Sequence, residues 1–175
     1  NKLTFLINDL LESSKVKQGE LVFNEAMFDF NELVKETVDS LQQTSKSHTI
    51  SLNLDDTDMI FGDRNRLGQV MTNMLSNAIK YSPDAKEVNV TSVHKESKIY
   101  FCVHDFGIGI SPENQTHVFE QFYRVSGVVE DTYAGLGLGM FISSEIIKKS
   151  HGTIHVESEM GKGSSFCFTL PIKKI

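Results

Sequence analysis

The segment from Arg64 to Tyr81 constrains the fold more than any other part of the sequence. Its apolar residues recur at helical spacing and fall on one side of a helix. Ser82-Pro83 ends the helix, because proline has no N–H and clashes with the preceding turn. A helix with one apolar stripe must pack on a second layer. The stripe consists of Leu67, Val70, Met71, Met74, Leu75, Ala78 and Ile79.

Alternating segments on both sides of this helix can supply the second layer. Strands are predicted at 21–30, 48–54, 59–63, 87–94 and 98–105, with a closing hairpin at 152–159 and 164–171. Further helices are predicted at 31–43, 112–117 and 138–150. The pattern predicts an α/β two-layer sandwich, with helices on one face of a mixed, mostly antiparallel sheet.

The first 17 residues, 1–17, form a separate helical pattern. Leu3, Leu6, Ile7 and Leu10 lie on one stripe, followed by a turn near Gly19. We expect 1–17 to be the end of a longer helix whose partner lies elsewhere, and 18–175 to be the main domain.

Charge and composition limit the classes of partner. The chain carries a net charge of −6, and 39% of its residues are hydrophobic, as in an ordinary globular domain. An acidic domain is repelled by nucleic acid and by anionic lipid. No apolar run is long enough to span a bilayer. We therefore expect no nucleic-acid partner and no direct membrane contact for this part of the protein.

The cysteines and histidines have no metal-binding spacing. Cys102 and Cys167 stand alone in apolar alternating runs. They are interpreted as small buried strand residues with free thiols, which indicates a reducing compartment.

The long helix carries a second, polar stripe formed by Asn73, Asn77 and Lys80. Asparagine is unfavourable inside a helix, because its side chain competes for backbone hydrogen bonds. Carboxamide oxygens suit Mg²⁺, which commonly binds one or two protein groups together with substrate phosphates. A polar helix edge is the alternative interpretation.

Two glycine clusters follow strand ends or precede helices. Asp105, Gly107 and Gly109 close a predicted strand, where glycine permits close approach of a ligand and a carboxylate accepts an amine N–H. A loop with a capping aspartate is the alternative. Gly135, Gly137 and Gly139 open a helix, whose N-terminal N–H groups suit phosphate. A flexible hinge is the alternative there.

Taken in order, these motifs closely resemble the catalytic domain of sensor histidine kinases, within the ATPase superfamily shared with DNA gyrase B, heat-shock-90 chaperones and MutL proteins. NMLSNAIKYS resembles the N box, DFGIGI the first glycine box, FEQFYRV the F box and GLGLGM the second glycine box. The closing segment HGTIHVESEMGKGSSFCFTLP is also similar, and NDLLESSKVKQGEL resembles the end of a dimerisation-domain helix. The resemblance implies a Bergerat-type ATP-binding fold.

The resemblance also implies roles for matching positions. Asn77 would coordinate Mg²⁺, Asp105 would accept the adenine amino group, and Arg124 would reach the terminal phosphate. Phe119 and Phe122 would anchor a lid over ATP. The implied nucleotide-binding set is Asn73, Asn77, Lys80, Tyr81, Asp105, Gly107, Gly109, Ile110, Tyr123, Arg124, Gly135, Leu136, Gly137, Leu138 and Gly139.

The function implied is a two-component histidine kinase domain in the cytoplasm. It would bind Mg-ATP and pass the γ-phosphoryl group to a histidine on the dimerisation domain, for relay to a response-regulator aspartate. No catalytic residue is assigned, because no histidine precedes His48. Leu136 stands where the family usually has threonine or serine.

Two other functions remain open from the sequence. The first is a degenerate nucleotide-binding scaffold without phosphotransfer, which Leu136 leaves possible. The second is an ATP-hydrolysing clamp, whose catalytic glutamate would occupy the position of Asn73.

Overall fold

A computed structural model describes residues 2–56, 59–125 and 136–172. The helices are α1 (Lys2–Lys17), α2 (Phe30–Thr44), α3 (Arg64–Lys80), α4 (Pro112–Gln115) and α5 (Gly139–Lys149). The strands are β1 (Ala26–Asp29), β2 (Thr49–Leu54), β3 (Met59–Gly62), β4 (Glu87–Lys95), β5 (Lys98–Asp105), β6 (Thr153–Glu159) and β7 (Gly163–Pro171).

The main sheet has five strands in the order β2-β4-β5-β7-β6. Only its β2–β4 pair is parallel, and the other three pairs are antiparallel. The predicted two-layer α/β class with a mixed sheet is therefore confirmed. β1 and β3 form a separate antiparallel ribbon. The prediction that all strands belong to one sheet is therefore wrong.

The helices α2, α3 and α5 cover one face of the sheet. Phe101 and Phe168 stack on that face with ring centroids 4.9 Å apart, and Phe30 from α2 meets Phe101 edge-on at 5.9 Å. All three rings are fully buried, as is most of the predicted stripe on α3. Burial of this shared apolar layer is the main favourable contribution to the stability of the fold. The opposite face of the sheet is only partly buried, so β5 alternates between buried and half-buried residues.

The first predicted strand, 21–30, is shorter in the structure and spans Ala26–Asp29. Upstream of it, the N–H of Asn24 donates to Oδ2 of Asp63, at 2.7 Å, instead of to a strand. Downstream, Asp29 accepts the N–H of Glu32 and caps α2, which begins at once with Phe30. Side-chain caps at both ends therefore shorten the strand.

The interpretation of the cysteines as separate buried thiols is wrong. Cys102 on β5 and Cys167 on β7 are opposite one another in register and form a disulfide, with Cα atoms 4.1 Å apart. Both side chains lie on the half-buried outer face of the sheet. Their separation of 65 residues carries no local spacing signal, because only the strand pairing brings them together.

Helix α1 coincides with the predicted segment 1–17 and contacts α5. Glu12 accepts hydrogen bonds from Arg66 and Gln69 of α3, and the buried Ser13 accepts one from Gln121. The assignment of this helix to a dimerisation domain stays a prediction. In the ranges that the structure describes, no helix is long and apolar enough to cross a membrane.

Candidate functional site

A cavity of about 400 Å³ lies between α3, the end of β5 and the start of α5. Its volume is in the range of small-molecule sites. Thirteen residues of the predicted nucleotide-binding set line it: Asn73, Asn77, Lys80, Tyr81, Asp105, Gly109, Ile110, Tyr123, Arg124, Leu136, Gly137, Leu138 and Gly139. Gly107 is not one of the lining residues, and Gly135 is outside the described residues.

Helix α3 places its polar stripe along one wall. Asp63 caps the helix by accepting the N–H of Arg66 at 3.0 Å, and the apolar stripe fixes its rotation against the sheet. Asn77 therefore lines the cavity. Asn73, one turn earlier, donates from Nδ2 to the carbonyl of Gly139 and to Oγ of Ser143, each at 3.2 Å. Its amide group thus ties α3 to the start of α5.

Asp105 lines the cavity and is only 4% exposed. Burial raises the pKa of its carboxyl above the ordinary value of 3.8, because desolvation penalises the charged form. Main-chain N–H groups of Gly107 and Ser164 and the nearby His104 oppose that rise. The Gly107 N–H donates to Oδ1 of Asp105 at 2.9 Å. This geometry suits a carboxylate that accepts an N–H from a bound base.

The loop after β5 depends on two glycines that permit very close backbone contacts. A Cβ at Gly107 would lie 2.1 Å from the carbonyl oxygen of Tyr81, at the end of α3. Gly109 has φ +72°, and a Cβ there would lie 2.1 Å from the carbonyl oxygen of Glu159. Any side chain at either position would push this loop away from its supports.

Side-chain hydrogen bonds hold the same loop in place. Oγ of Ser158 accepts the Ile110 N–H at 2.8 Å and donates to the carbonyl of Gly163 at 2.8 Å. Nε2 of Gln115 donates to the carbonyls of Ile110 and Ser158. Ser158 and Gln115 were not predicted as site residues, because isolated Ser and Gln residues carry no motif and meet only through the fold.

Two cationic side chains, Lys80 and Arg124, line the cavity. Nζ of Lys80 donates to the Tyr81 hydroxyl at 3.0 Å and lies 4.7 Å from the centre of that ring. The N-terminus of α5, which begins at Gly139, lines the same cavity. Positive side chains and a helix N-terminus together favour a phosphate group.

The segment 122–125 approaches the residues that precede α5. The N–H of Phe122 donates to the carbonyl of Gly137 at 3.1 Å, and the Tyr123 hydroxyl donates to Asn114 at 2.8 Å. Phe119 packs edge-on against Phe166, while Phe122 is 53% exposed. The predicted lid continues through 126–135, which lie outside the described residues.

The cavity can hold Mg²⁺ only if a bound substrate supplies some of the ligands. In the part of the chain that the structure describes, no group of three or more His, Cys, Asp or Glu side chains is placed to hold a metal. Asn77 lines the cavity and has one amide oxygen that could serve as a ligand. Mg²⁺ is commonly held by one or two protein groups plus substrate phosphates, so this site fits a phosphate-bridged ion.

The wall opposite α3 includes residues that sequence patterns did not indicate. Ser164 and Phe166 on β7 reach the cavity because β7 pairs with β5 in a register that places Ser164 opposite Asp105. No motif carries this information. Around the whole cavity, the lining residues that were not predicted are Ser76, Ile108, Val118, Val125, Met140, Ser164 and Phe166.

Comparison with known proteins identifies relatives of the same fold. Residues 62–174 match the family described as histidine kinase-, DNA gyrase B- and HSP90-like ATPases. The chain is 34% identical over 173 residues to the sensor histidine kinase WalK of Bacillus subtilis, covering 97% of this chain and 28% of that protein. It is 33% identical over 174 residues to the sensor histidine kinase RppB of Synechocystis, covering 98% of this chain and 38% of RppB.

Solved structures agree with these relatives. Full-length ShkA in complex with AMPPNP superposes with a TM-score of 0.85 at 25% identity, over 99% of this chain and 36% of that one. The nucleotide-free catalytic domain of the histidine kinase ThkA gives a TM-score of 0.73 at 26% identity, over 87% of this chain and 97% of that one. The chain spans less than two fifths of the length of WalK, RppB and ShkA.

The close contact at Gly109 predicts that a side chain there destabilises the fold. Gly161 is the matched control, because it also has positive φ but no close contact. Gly109→Ala and Gly161→Ala both place alanine at positive φ, at a cost of about 1 kcal/mol. Only Gly109→Ala also meets a carbonyl oxygen, because Gly161 has nothing within 4 Å. We expect Gly109→Ala to lose roughly 1–3 kcal/mol more free energy of unfolding in urea titrations. Equal losses would show that the contact with Glu159 is unimportant.

The raised pKa of Asp105 predicts a pH-dependent loss of stability. The folded state binds this proton more tightly than the unfolded chain, so the contribution of Asp105 to stability falls as pH rises through and above 3.8. Asp105→Asn removes that dependence. The unfolding free energy of the wild type minus that of the variant should fall as the pH rises from below 3.8 toward neutrality. The exposed Asp84 supplies the control Asp84→Asn, and a pH-independent difference for Asp105→Asn contradicts the prediction.

Proposed function

This chain belongs to the family of histidine kinase-, DNA gyrase B- and HSP90-like ATPases, and we propose that it binds Mg-ATP and donates the γ-phosphoryl group to a histidine. The acceptor histidine would lie on a dimerisation and phosphotransfer domain of the same protein. A response-regulator receiver domain would then take the phosphoryl group on an aspartate. The proposal also assigns the chain to the cytoplasm, where such relays operate.

The observation that carries this proposal is that one cavity brings together two complementary kinds of chemical group. Asp105 supplies a buried hydrogen-bond acceptor. Lys80, Arg124 and the start of α5 supply positive charge and N–H groups. A nucleoside triphosphate has the complementary distribution, since its base presents an amine and its phosphates are anionic.

At the base end, Asp105 selects a ring with an exocyclic amine. The Gly107 and Ser164 N–H groups hold the carboxylate in place and leave it with further acceptor capacity. The loop that carries Gly109 and Ile110 lines this part of the cavity together with Phe166 of β7. The mostly apolar wall excludes water from the ring and strengthens the hydrogen bond to Asp105.

At the phosphate end, this chain's own groups position and neutralise charge. Lys80 presents an ammonium group, and Arg124 presents a guanidinium that can bind two phosphate oxygens at once. Mg²⁺ held by Asn77 and the phosphates would stabilise the negative charge that develops during transfer. Asn73 positions the start of α5 through its bonds to Gly139 and Ser143.

The role of Asn73 also bears on the ATP-hydrolysing alternative. A hydrolase needs a base that activates water, and a carboxamide is not one. Nδ2 of Asn73 is committed to the two oxygens of α5. The chain therefore favours transfer to an external acceptor over steady hydrolysis.

A nucleotide-binding scaffold is the second candidate, and Leu136 is the observation that favours it. The residue is 37% exposed and lines the cavity, where a threonine or serine hydroxyl could have contacted phosphate. An apolar side chain there weakens phosphate contacts. Both candidates require ATP binding, and only phosphotransfer separates them.

Calorimetric titration of ATP, with and without Mg²⁺, tests the shared requirement. We expect Mg²⁺-dependent binding by the wild type and by Asp84→Asn, and at least about tenfold weaker binding by Asp105→Asn, which presents an amide where a carboxylate accepted the amine. A wild type that binds no ATP contradicts the proposal.

Radiolabelled ATP then separates kinase from scaffold. Label should pass to a dimerisation and phosphotransfer domain supplied as a separate chain, and no label should appear on this chain alone. Binding without transfer favours the scaffold, and steady release of phosphate without an acceptor favours hydrolysis.

A further inference from the structure

The Cys102–Cys167 disulfide lies on the face of the sheet that the helices leave open. Along β5, Cys102 alternates with the buried Phe101 and Val103, and it is half-buried itself. Cys167 on β7 is half-buried on the same face. The sulfur atoms are therefore placed where a small thiol can approach them.

The residues that lie side by side with the disulfide across the sheet form one register row, and this row carries no carboxylate. Across the five strands this row reads Asn53, Thr91, Cys102, Cys167 and His155. Its members are neutral or basic. An anionic thiolate that attacks either sulfur thus meets no negative charge within that row, and the exposed Glu157 lies one row away on the same face of β6.

The two cysteines also occupy the position on the strands that best permits bridging. Their Cα separation of 4.1 Å is close to the short spacing, about 4.5 Å, of a non-hydrogen-bonded antiparallel pair. At such a pair the side chains approach most closely. The strands therefore hold both thiols in place for oxidation, even when the bond is open.

The same two strands hold the floor of the nucleotide site. Three residues beyond Cys102, β5 ends at Asp105, and three residues before Cys167, β7 carries Ser164. Asp105 and Ser164 are opposite one another, line the cavity and are joined by the Ser164 N–H. A bond between Cys102 and Cys167 thus fixes the strand pair about 10 Å from the base-binding carboxylate.

We propose that Cys102 and Cys167 form a reversible redox site, oxidised by disulfides and reduced by small dithiols, whose state sets the affinity of the cavity for ATP. The effect on ATP rests on the proposed function, whereas the redox chemistry does not. In the cytoplasm, the compartment that the proposed function assigns, disulfides that do form are usually transient or redox-sensing. Partial exposure makes this pair accessible to exchange.

Reduction proceeds by two thiol–disulfide exchanges. One thiolate of the dithiol attacks a sulfur of the pair, forming a mixed disulfide and releasing the other cysteine as a thiolate. The second thiol of the reductant attacks the mixed disulfide and leaves as a cyclic disulfide. Two electrons have then passed to the chain, and the two cysteine thiolates take protons from solvent. In oxidation by a small disulfide, one cysteine thiolate attacks that disulfide and releases one small thiol, and the second cysteine then displaces the other small thiol from the mixed disulfide.

Closure of the bond favours nucleotide binding because it holds β5 and β7 together beside Asp105. With the bond open, β5 and β7 stay paired through their backbone register but lose one covalent restraint, which loosens the contact between Asp105 and Ser164. We expect the reduced chain to bind ATP about threefold more weakly, a coupling typical of residues that do not touch the ligand.

Thiol alkylation followed by mass spectrometry tests the site itself. The folded chain is equilibrated with oxidised glutathione or with dithiothreitol and then alkylated. We expect both cysteines to be protected after oxidation and both to be alkylated after reduction, without unfolding. Two reactive thiols after oxidation, or a bond that resists dithiothreitol until the chain unfolds, would overturn the reversible site.

Calorimetric ATP titrations of both forms test the coupling without any substitution. The control is Cys102→Ser with Cys167→Ser, which should bind ATP with one affinity whatever the redox buffer. Equal affinities of oxidised and reduced wild type overturn the coupling and leave the proposed function intact. Absence of ATP binding in both forms overturns the proposed function, while the alkylation result still decides the redox site.

Discussion

The close passage of the loop after β5 over its neighbours is the constraint on which the site depends. The backbone at Gly107 and at Gly109 lies so near two carbonyl groups, of Tyr81 and Glu159, that no Cβ fits. This loop thereby joins the end of α3 to the hairpin of β6 and β7. The three elements that surround the cavity are locked together at one point, and Asp105 lies at its base.

The same arrangement imposes a cost on folding. A carboxylate that is almost fully buried loses its hydration, and the two main-chain N–H groups that bind Asp105 offset only part of that loss. A purely structural domain would gain stability from an amide or an apolar residue at this position. Retention of a charged acceptor in a cavity is typical of a binding site, where stability is exchanged for recognition.

The sequence predicted the elements better than it predicted their contacts. The long helix, its two stripes and the strands around it were visible because apolar periodicity and Pro83 are local signals. The first strand begins later than predicted, where the side chain of Asp63 accepts the N–H of Asn24, whereas α3 begins at Arg64 as predicted. Thirteen predicted residues line one cavity, and their individual roles in nucleotide binding remain predictions.

The sequence by itself determined the two-layer class and which residue types could meet a nucleotide, because motif spacing fixes their positions on a helix face or at a strand end. Only the tertiary structure decided which residues lie opposite one another. Strand register placed Ser164 beside Asp105 and Cys167 beside Cys102, across 59 and 65 residues of chain. Helix packing turned Asn73 toward α5. Such contacts depend on long-range pairing, which leaves no trace in local periodicity.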